Sequence, residues 1–492
     1  MSVPARPALV AGVALAALVL AAVIAVSCGG APAERAPGSS TLHARYVDRD
    51  GDGTRERGRG EPLRDRTALA PAARPGRVLG SLAIVTDVHV RDEESPARPV
   101  FLDRLGPPFS ATFRPQEALT LQVLAAAVRA IDAARPDAVV VNGDLIDNAQ
   151  ANELAQARRV LDGGLVRPDS GAPGYDGVQR AANPDPAFYR PDVDPPRHRG
   201  LLAAAQRPFR SPGLRAPWYA VAGNHDLLVA GELRRTPRTD ALARGDRMLV
   251  APDPSLRVDR SEAALSGETV DRLLGRGLPG RTVRVAPDPL RRELTPDAAV
   301  AGLRGGRETA GPRLDYAFDI GPGVRGIVLD TVQRERGAGG VVTPREVATL
   351  RRELARAGDR WVVVFTHQPL HRLAGGEPLR RLLAADPRVL AAVAGDTHRN
   401  RIVAQRTPAG GYWSITTSAL ADFPQQARML RVRETADGGA VLETWMLDTA
   451  PEPLADTARA LAFLDAQGGR PDGNAGGRLD RNVRLYRGAR GR

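Results

Sequence analysis

The chain of 492 residues carries a formal net charge of +12, from 69 basic and 57 acidic side chains. Hydrophobic residues make up 42% and charged residues 26%, which is typical of a folded globular protein. The sequence contains no lysine, so reactions that need one, such as those of a P-loop or a Schiff base, are excluded. Aromatic residues make up only 4% and do not interleave with arginine runs, so we expect no nucleic-acid partner.

The first 28 residues predict export. One positive charge at Arg6 precedes an uncharged apolar run over 8–26, and small residues with the only cysteine, Cys28, follow it. This order is typical of a signal peptide, and the setting of Cys28 is similar to the processing site of bacterial lipoproteins. An acylated Cys28 or an uncleaved anchor over 8–26 would each hold the body at the membrane, outside the cytoplasm. A single cysteine also leaves no intrachain disulfide.

Residues 29–76 are expected to form a tether between the membrane and the body. Within them, Asp48, Asp50 and Asp52 occupy alternate positions with glycines after them, as in the first half of a calcium loop. Position twelve of such a loop is a bidentate Glu, whereas here it is Arg59. A calcium site at these three carboxylates and a solvated turn therefore both stay open.

The folded body is predicted over 77–450. Apolar runs and turn residues predict a strand at 79–86, a helix at 117–134, a strand at 138–142, a helix at 153–162, strands at 314–320 and 325–330, a helix at 343–357, and strands at 361–365, 389–394, 401–405, 412–417, 429–433 and 440–447. Two stretches rich in Pro, Gly and Asp, 165–215 and 227–312, are predicted to be loop insertions. This order predicts an α/β fold with two packed mixed β-sheets flanked by helices. Residues 451–492 are expected to form a C-terminal helix and a disordered tail.

Five apolar runs end in residues that bind metals. The polar ends are Asp87-Val88-His89, Gly143-Asp144, Gly223-Asn224-His225-Asp226, His367 and Gly395-Asp396-Thr397-His398. Because the carboxyl ends of parallel strands meet at one edge of a sheet, these side chains are expected to converge. Imidazole and carboxylate ligands together suit Mn, Fe or Zn better than calcium. The sequence therefore predicts a transition-metal centre.

The ordered set Asp-x-His, Gly-Asp, Gly-Asn-His-Asp, His and Gly-x-x-His resembles the calcineurin-like metallophosphoesterase superfamily, in an exported bacterial subgroup with long insertions. The resemblance covers motifs scattered between about Leu79 and Trp445. It implies a four-layer sandwich and a phosphoric ester hydrolase with two divalent metal ions: Mn, Fe, Zn or, alternatively, Mg. Its implied ligands are Asp87, His89 and His398 for one metal, Asn224, His367 and Asp396 for the other, and Asp144 between them. It also implies that His225 assists the leaving oxygen, with Asp226 orienting that histidine.

One ligand departs from the family pattern. Where the family has Gly-His-x-His, this chain has Gly395-Asp396-Thr397-His398, so a carboxylate replaces an imidazole on the second metal. A carboxylate favours harder ions such as Mn or Mg, and we expect this site to bind its metal more weakly or with altered choice.

The resemblance implies hydrolysis of small phosphomonoesters or phosphodiesters by a hydroxide that the two metals activate. Two alternatives stay open. One is an extracellular nucleotidase or pyrophosphatase, and the other is a degenerate, non-catalytic phosphate-ligand binding protein of the same fold. The sequence determines neither the natural substrate nor the oligomeric state.

Overall fold

A computed structural model describes residues 39–105, 112–255, 271–272, 274–304, 311–335, 337–468 and 474–490. The predicted signal peptide, including the apolar run over 8–26 and Cys28, lies outside the described residues. Among the helices that are described, none is long and apolar enough to cross a membrane.

Most strands belong to two large sheets. The seven-stranded sheet has the spatial order β3 (Arg64–Arg66), β19 (Val483–Arg487), β18 (Ala440–Asp448), β17 (Gln426–Thr435), β4 (Pro75–Val85), β5 (Ala138–Asn142) and β8 (Trp218–Val221). The six-stranded sheet has the order β11 (Tyr316–Asp319), β12 (Val324–Val328), β13 (Trp361–Phe365), β14 (Val389–Ala394), β16 (Tyr412–Thr416) and β15 (Arg401–Gln405). Strands β4, β5 and β8 run parallel, as do β12, β13, β14 and β16. The predicted fold class, two mixed sheets, is confirmed.

Side chains of the central strands alternate between two cores. In β5, Val140 lies in the core between the sheets, whereas Val139 and Val141 face the helical layer. In β13, Phe365 lies between the sheets and Val364 faces the other helical layer. Strands that are covered on both faces read as continuous apolar runs, which is why the sequence predicted them well.

Helices cover both outer faces of the sheets. The seven-stranded sheet is covered by α1 (Thr120–Ala134), α2 (Ala151–Asp162) and α9 (Pro453–Gln467), and the six-stranded sheet by α7 (Pro344–Ala355) and α8 (Glu377–Ala385). Helix α7 begins where predicted because Thr343 and Glu346 form a capping box and Pro344 follows the cap. Helix α8 was not predicted. The four layers are therefore helix, sheet, sheet and helix.

The two predicted insertions and the loops near them contain short regular elements. These are β6 (Gly164–Val166) paired with β7 (Phe209–Ser211), α3 (Leu201–Ala205), α4 (Asn224–Leu227), α5 (Pro237–Ala243), β9 (Arg247–Pro252) paired with β10 (Gly280–Arg284), and α6 (Pro296–Arg304). Three 3₁₀ helices add Val100–Leu105, Glu117–Leu119 and Pro289–Arg291. The buried carboxylate of Asp185 accepts hydrogen bonds from Arg104 and Arg281, which joins the insertions to each other and to the segment before α1.

The structure corrects both ends of the predicted body. The described part of the tether, from Ser39, contains β1 (Ala44–Val47) and β2 (Glu56–Arg59), and β3 joins the large sheet. The tail predicted to be disordered contains β19, which pairs with β18. Backbone pairing explains both corrections, since each segment completes hydrogen bonds at a sheet edge that composition alone does not reveal.

Candidate metal centre

The predicted ligands lie at the carboxyl ends of parallel strands. Asp87 and His89 follow β4, Asp144 follows β5, and His367 follows β13. The backbone is left-handed at five of these positions: Asp87 (φ 50°), His89 (φ 48°), Asp144 (φ 51°), Asp396 (φ 62°) and His398 (φ 55°). Non-glycine residues rarely adopt this conformation, and clusters of such strain mark functional sites.

Two glycines let the ligand loops approach one another closely. A Cβ atom at Gly143, where φ is 92°, would lie 2.2 Å from Nδ1 of His367. A Cβ atom at Gly223 would lie 2.2 Å from Oδ1 of Asp144. The glycines of the Gly-Asp and Gly-Asn-His-Asp motifs are therefore required by steric contact with the ligands themselves.

The structure brings five predicted ligands together in two trios of buried or nearly buried side chains. Possible ligand atoms of Asp87, His89 and His398 lie within 4.8 Å of one another, as do those of Asp87, Asp144 and His367. Oδ2 of Asp144 lies 3.1 Å from Nε2 of His367 and 3.8 Å from Nε2 of His89, so this carboxylate faces both trios. Oδ1 of Asp87 lies 3.3 Å from Nε2 of His398 and 3.9 Å from Nε2 of His367. The two carboxylates thus lie between the imidazoles.

Each of the three ligand imidazoles is anchored through Nδ1. His367 donates to the carbonyl oxygen of Asn142 at 3.0 Å, and His89 donates to the Asp147 carboxylate at 2.9 Å. His398 lies 2.5 Å from the carboxylate of Asp422. These acceptors fix the tautomer and leave Nε2 as the atom that can bind a metal.

The free Nε2 atoms converge. Those of His89 and His398 lie 3.3 Å apart, and the wholly buried Nε2 of His367 has no hydrogen-bond partner among the described residues. Without metal, a protonated His398 can donate from Nε2 to the neutral imidazole of His89. A cation can take the place of that proton as the partner of the converging nitrogens, so the side chains fit a metal centre.

Charges around the centre shift the imidazole pKa values in opposite directions. Burial, together with the neighbouring His225, lowers the pKa of His89 to about 4. Burial opposes the charge of His398, yet Asp87 and Asp422 raise its pKa to about 10. For His367, Asp144 and Asp87 overcome burial and raise the pKa well above its usual value. Without metal, protons on His367 and His398 therefore balance the buried carboxylates.

Comparisons with known proteins give only distant similarity. The sequence matches no family model, and no curated protein matches it. Among solved structures, a dimetal phosphatase from Danio rerio aligns with 15% identity and a TM-score of 0.37, over 76% of this chain and 98% of that one. The sulfate thiohydrolase SoxB of Thermus thermophilus aligns with 14% identity and a TM-score of 0.30, over 80% of this chain and 61% of that one. Purple acid phosphatase PPD1 from yellow lupin aligns with 11% identity and a TM-score of 0.30, over 80% of this chain and 54% of that one.

These sequence identities and TM-scores are too low to support an inference about function, which therefore depends on the residues of the site. The fold is described by the order of the strands and the positions of the ligands. Two mixed sheets lie face to face with the motif residues at their strand ends. The chain has an α/β fold of two packed mixed sheets flanked by helices. Of the predicted carboxylate and imidazole ligands, Asp396 lies outside both trios.

Asn224 is held by hydrogen bonds on both sides of its amide. Its Oδ1 accepts from Nε2 of Gln368 at 3.3 Å, and its Nδ2 donates to the carbonyl oxygen of Gly231 at 3.2 Å. Asp396 donates its backbone N–H to Asp87, whereas its carboxylate lies 3.6 Å from Nη1 of Arg372. Burial raises the pKa of Asp396 to about 6. The ligand roles of Asn224 and Asp396 stay predictions.

The carboxylate of Asp226 holds the ligand loops together. It accepts hydrogen bonds from the backbone N–H groups of Gly223 (2.8 Å) and Ile146 (3.1 Å). His225 donates from Nδ1 to the carbonyl oxygen of Asp147 at 2.7 Å. The role of Asp226 in orienting His225 stays a prediction.

Two residues of the centre were not recognised from the sequence. Asp147 lies between His89 and His225, and Asp422 lies between His398 and Arg114. Asp147 stands in the Gly-Asp motif, three residues after Asp144, which was a usable signal. Asp422 follows β16 in the loop 422–426, which the sequence predicts to brace the site without a role for any of its residues. Only the tertiary structure reveals its contact with His398.

The possible calcium loop is a separate cluster. The carboxylates of Asp48, Asp50 and Asp52 lie within 4.8 Å of one another. Each also accepts a hydrogen bond from a backbone N–H of the same turn, as a solvated Asp-Gly turn does. Calcium binding at this turn stays a prediction.

Proposed function

We propose that the protein is a metal-dependent phosphoesterase that holds two divalent cations at the ends of its parallel strands. The observation that carries the proposal is the 3.3 Å contact between Nε2 of His89 and Nε2 of His398, with both Nδ1 atoms turned to carboxylates. Two further negative charges, from Asp87 and Asp144, lie within reach of the same place. Imidazole with carboxylate suits Mn, Fe or Zn, with Mg as the harder alternative.

The residues present fit two cations. Asp87, His89 and His398 would hold one, and His367 with Asn224 the other, while Asp144 faces both. When bound, such a pair of ions polarises a phosphoryl group and activates water for in-line displacement. The burial of Asp87 and His367 keeps bulk water from competing for these ligand atoms.

His225 is the residue placed to transfer a proton. Its Nδ1–H is committed to Asp147, so Nε2 is the atom that exchanges a proton with a substrate. Its side chain is 24% exposed, whereas that of His89, whose ring centroid lies 4.5 Å away, is 6% exposed. A protonated His225 can donate to a leaving oxygen that approaches from solvent.

The substrate is proposed to be a small phosphate ester. Arg372 lies beside the centre with a side chain that is 58% exposed, and its guanidinium can bind a phosphate oxygen as it now contacts Asp396. A nucleotidase or pyrophosphatase would use the same centre, and only a substrate panel separates these activities.

The test is hydrolysis after metal exchange. We expect chelated protein to be inactive, and Mn²⁺ to restore release of nitrophenol from mono- or bis-nitrophenyl phosphate. Nucleotides and pyrophosphate complete the panel, and metal analysis identifies the native ions. Asp144→Asn is the matched negative control, because it keeps the side-chain shape and removes the charge. The proposal fails if no divalent cation supports turnover of any ester.

The second candidate is a non-catalytic binding protein of the same fold. The observation that favours it is the 3.6 Å contact of the Asp396 carboxylate with Arg372, since this carboxylate belongs to neither trio. Asp396→His restores the family's imidazole, and the phosphoesterase proposal expects a change in metal affinity or metal preference. Turnover that first appears in Asp396→His would establish the wild-type chain as the binding protein.

We also propose that the folded body is exported from the cytoplasm. An acylated Cys28 would then hold it at the outer surface of the cell membrane. The support is the order of Arg6, the apolar run over 8–26 and the single cysteine. The test is fractionation of cells that express the full chain. Cys28→Ala should abolish incorporation of labelled fatty acid. Unchanged labelling would contradict acylation at this residue.

A further inference from the structure

A surface cleft outside the metal centre is lined by arginines and aromatic rings. It has a volume of about 700 Å³ and lies between the β1–β2 hairpin and two phenyl rings, Phe423 and Phe463. The arginines that line it are Arg45, Arg49, Arg55 and Arg59, and the acidic side chain among its described lining residues is that of Asp48.

Arg55 lies against both rings. Its guanidinium carbon lies 4.3 Å from the ring centre of Phe423 and 4.5 Å from that of Phe463. The two ring centres lie only 5.1 Å apart, so the rings do not enclose the guanidinium from opposite faces. Its Nη2 donates to the carbonyl oxygen of Tyr46 at 2.5 Å.

The remaining nitrogens of Arg55 lack acceptors. Nε and Nη1 are buried and have no hydrogen-bond partner within the described ranges. Burial lowers the pKa of Arg55 to about 10, although Asp448 acts in the opposite direction. Buried donors are almost always paired, so two free ones on one charged group indicate an absent acceptor.

Two further arginines of the cleft, Arg45 and Arg59, also have no acidic partner among the described residues. Arg49 forms an ion pair with Glu56 at 2.8 Å, whereas Arg45 and Arg59 form no ion pair within the part of the chain that is described. These two arginines lie on paired strands, since Arg45 is opposite Gly58 and Arg59 is opposite Ala44. Guanidinium groups around one cleft suit an oxyanion, which can accept several charged hydrogen bonds at once.

We propose that this cleft is a binding site for a phosphate-type oxyanion, held by Arg55 together with Arg45 and Arg59. The site is separate from the metal centre and needs no metal ion. Arg45 is half-buried and Arg59 is exposed, and both line the same cleft as Arg55.

The experiment is calorimetric titration of chelated, metal-free protein with inorganic phosphate at low salt. We expect the double variant Arg45→Gln/Arg59→Gln to bind phosphate about tenfold or more weakly than wild type, because two charge-assisted hydrogen bonds are lost. Both side chains lie on the surface hairpin, so thermal unfolding should not change. Arg55→Gln should reduce binding further.

Two matched controls separate this site from other sources of binding. Arg215→Gln removes an arginine whose side chain is 86% exposed elsewhere, and His398→Gln removes a cation of the metal centre. Both should bind phosphate as wild type does. The proposal is overturned if the double variant binds like wild type, if His398→Gln abolishes binding, or if wild type shows none up to about 10 mM. These outcomes do not depend on phosphoesterase activity.

Discussion

The buried triad of Arg114, Asp422 and His398 allows stability and metal binding to be separated. The carboxylate of Asp422 is fully buried and contacts the guanidinium of Arg114 on one side and Nδ1 of His398 on the other. Asp422→Asn keeps the shape and removes the charge. Loss of a buried ionic partner costs about 3–5 kcal/mol. Asp465 and Asp147 also raise the pKa of Arg114, so we expect the lower end, about 3 kcal/mol.

The same substitution should weaken the metal centre independently. Without the carboxylate, His398 loses the acceptor that fixes its tautomer, which costs about 10- to 100-fold in metal affinity. The first effect is measured by urea unfolding with chelator present, and the second by titration of Mn²⁺ into folded protein.

The double variant Asp422→Asn/Arg114→Met decides between the two effects. It removes both charges, so the free energy of unfolding should recover by more than half. Metal affinity should stay low, because nothing replaces the carboxylate at Nδ1 of His398. If metal affinity recovers together with stability, Asp422 acts only through folding, and the orienting role is refuted.

Three further predictions concern the glycine beside His225, one buried carboxyl group and the protons of the centre. Gly231→Ala should lower the free energy of unfolding by about 2 kcal/mol or more and should also lower turnover. The new Cβ would lie 2.3 Å from Cδ2 of His225, and the backbone φ of 72° disfavours alanine. An unchanged free energy of unfolding and unchanged turnover would contradict this. Burial raises the pKa of Glu293 from 4.5 to about 8, so its contribution to stability is full below pH 4.5 and is lost as the pH rises towards 8. The free energy of unfolding should therefore decline over that range by at most about 5 kcal/mol, and Glu293→Gln should flatten the profile. Metal binding near pH 7 should release about two protons, one from His367 and one from His398. The number of protons is measured by calorimetry in buffers of different ionisation enthalpy. A binding enthalpy that does not depend on the buffer would show that these imidazoles are already neutral.

The sequence by itself determined the central strands and the ligand positions. The strands at Ala138–Asn142, Trp361–Phe365 and Val389–Ala394 were predicted with correct bounds, because strands covered on both faces are continuous apolar runs. Metal-binding residues at their carboxyl ends then had to meet at one edge of each sheet.

Only the tertiary structure decided the contacts between distant segments. Asp422 contacts Nδ1 of His398 from a loop without a motif, and the carboxylate of Asp396 lies 3.6 Å from Nη1 of Arg372. Strand β19 was missed because it gains its stability from pairing with β18 and β3, not from a strong apolar run of its own. Such contacts depend on which side chains folding brings within a few ångströms, and that is not encoded in local periodicity.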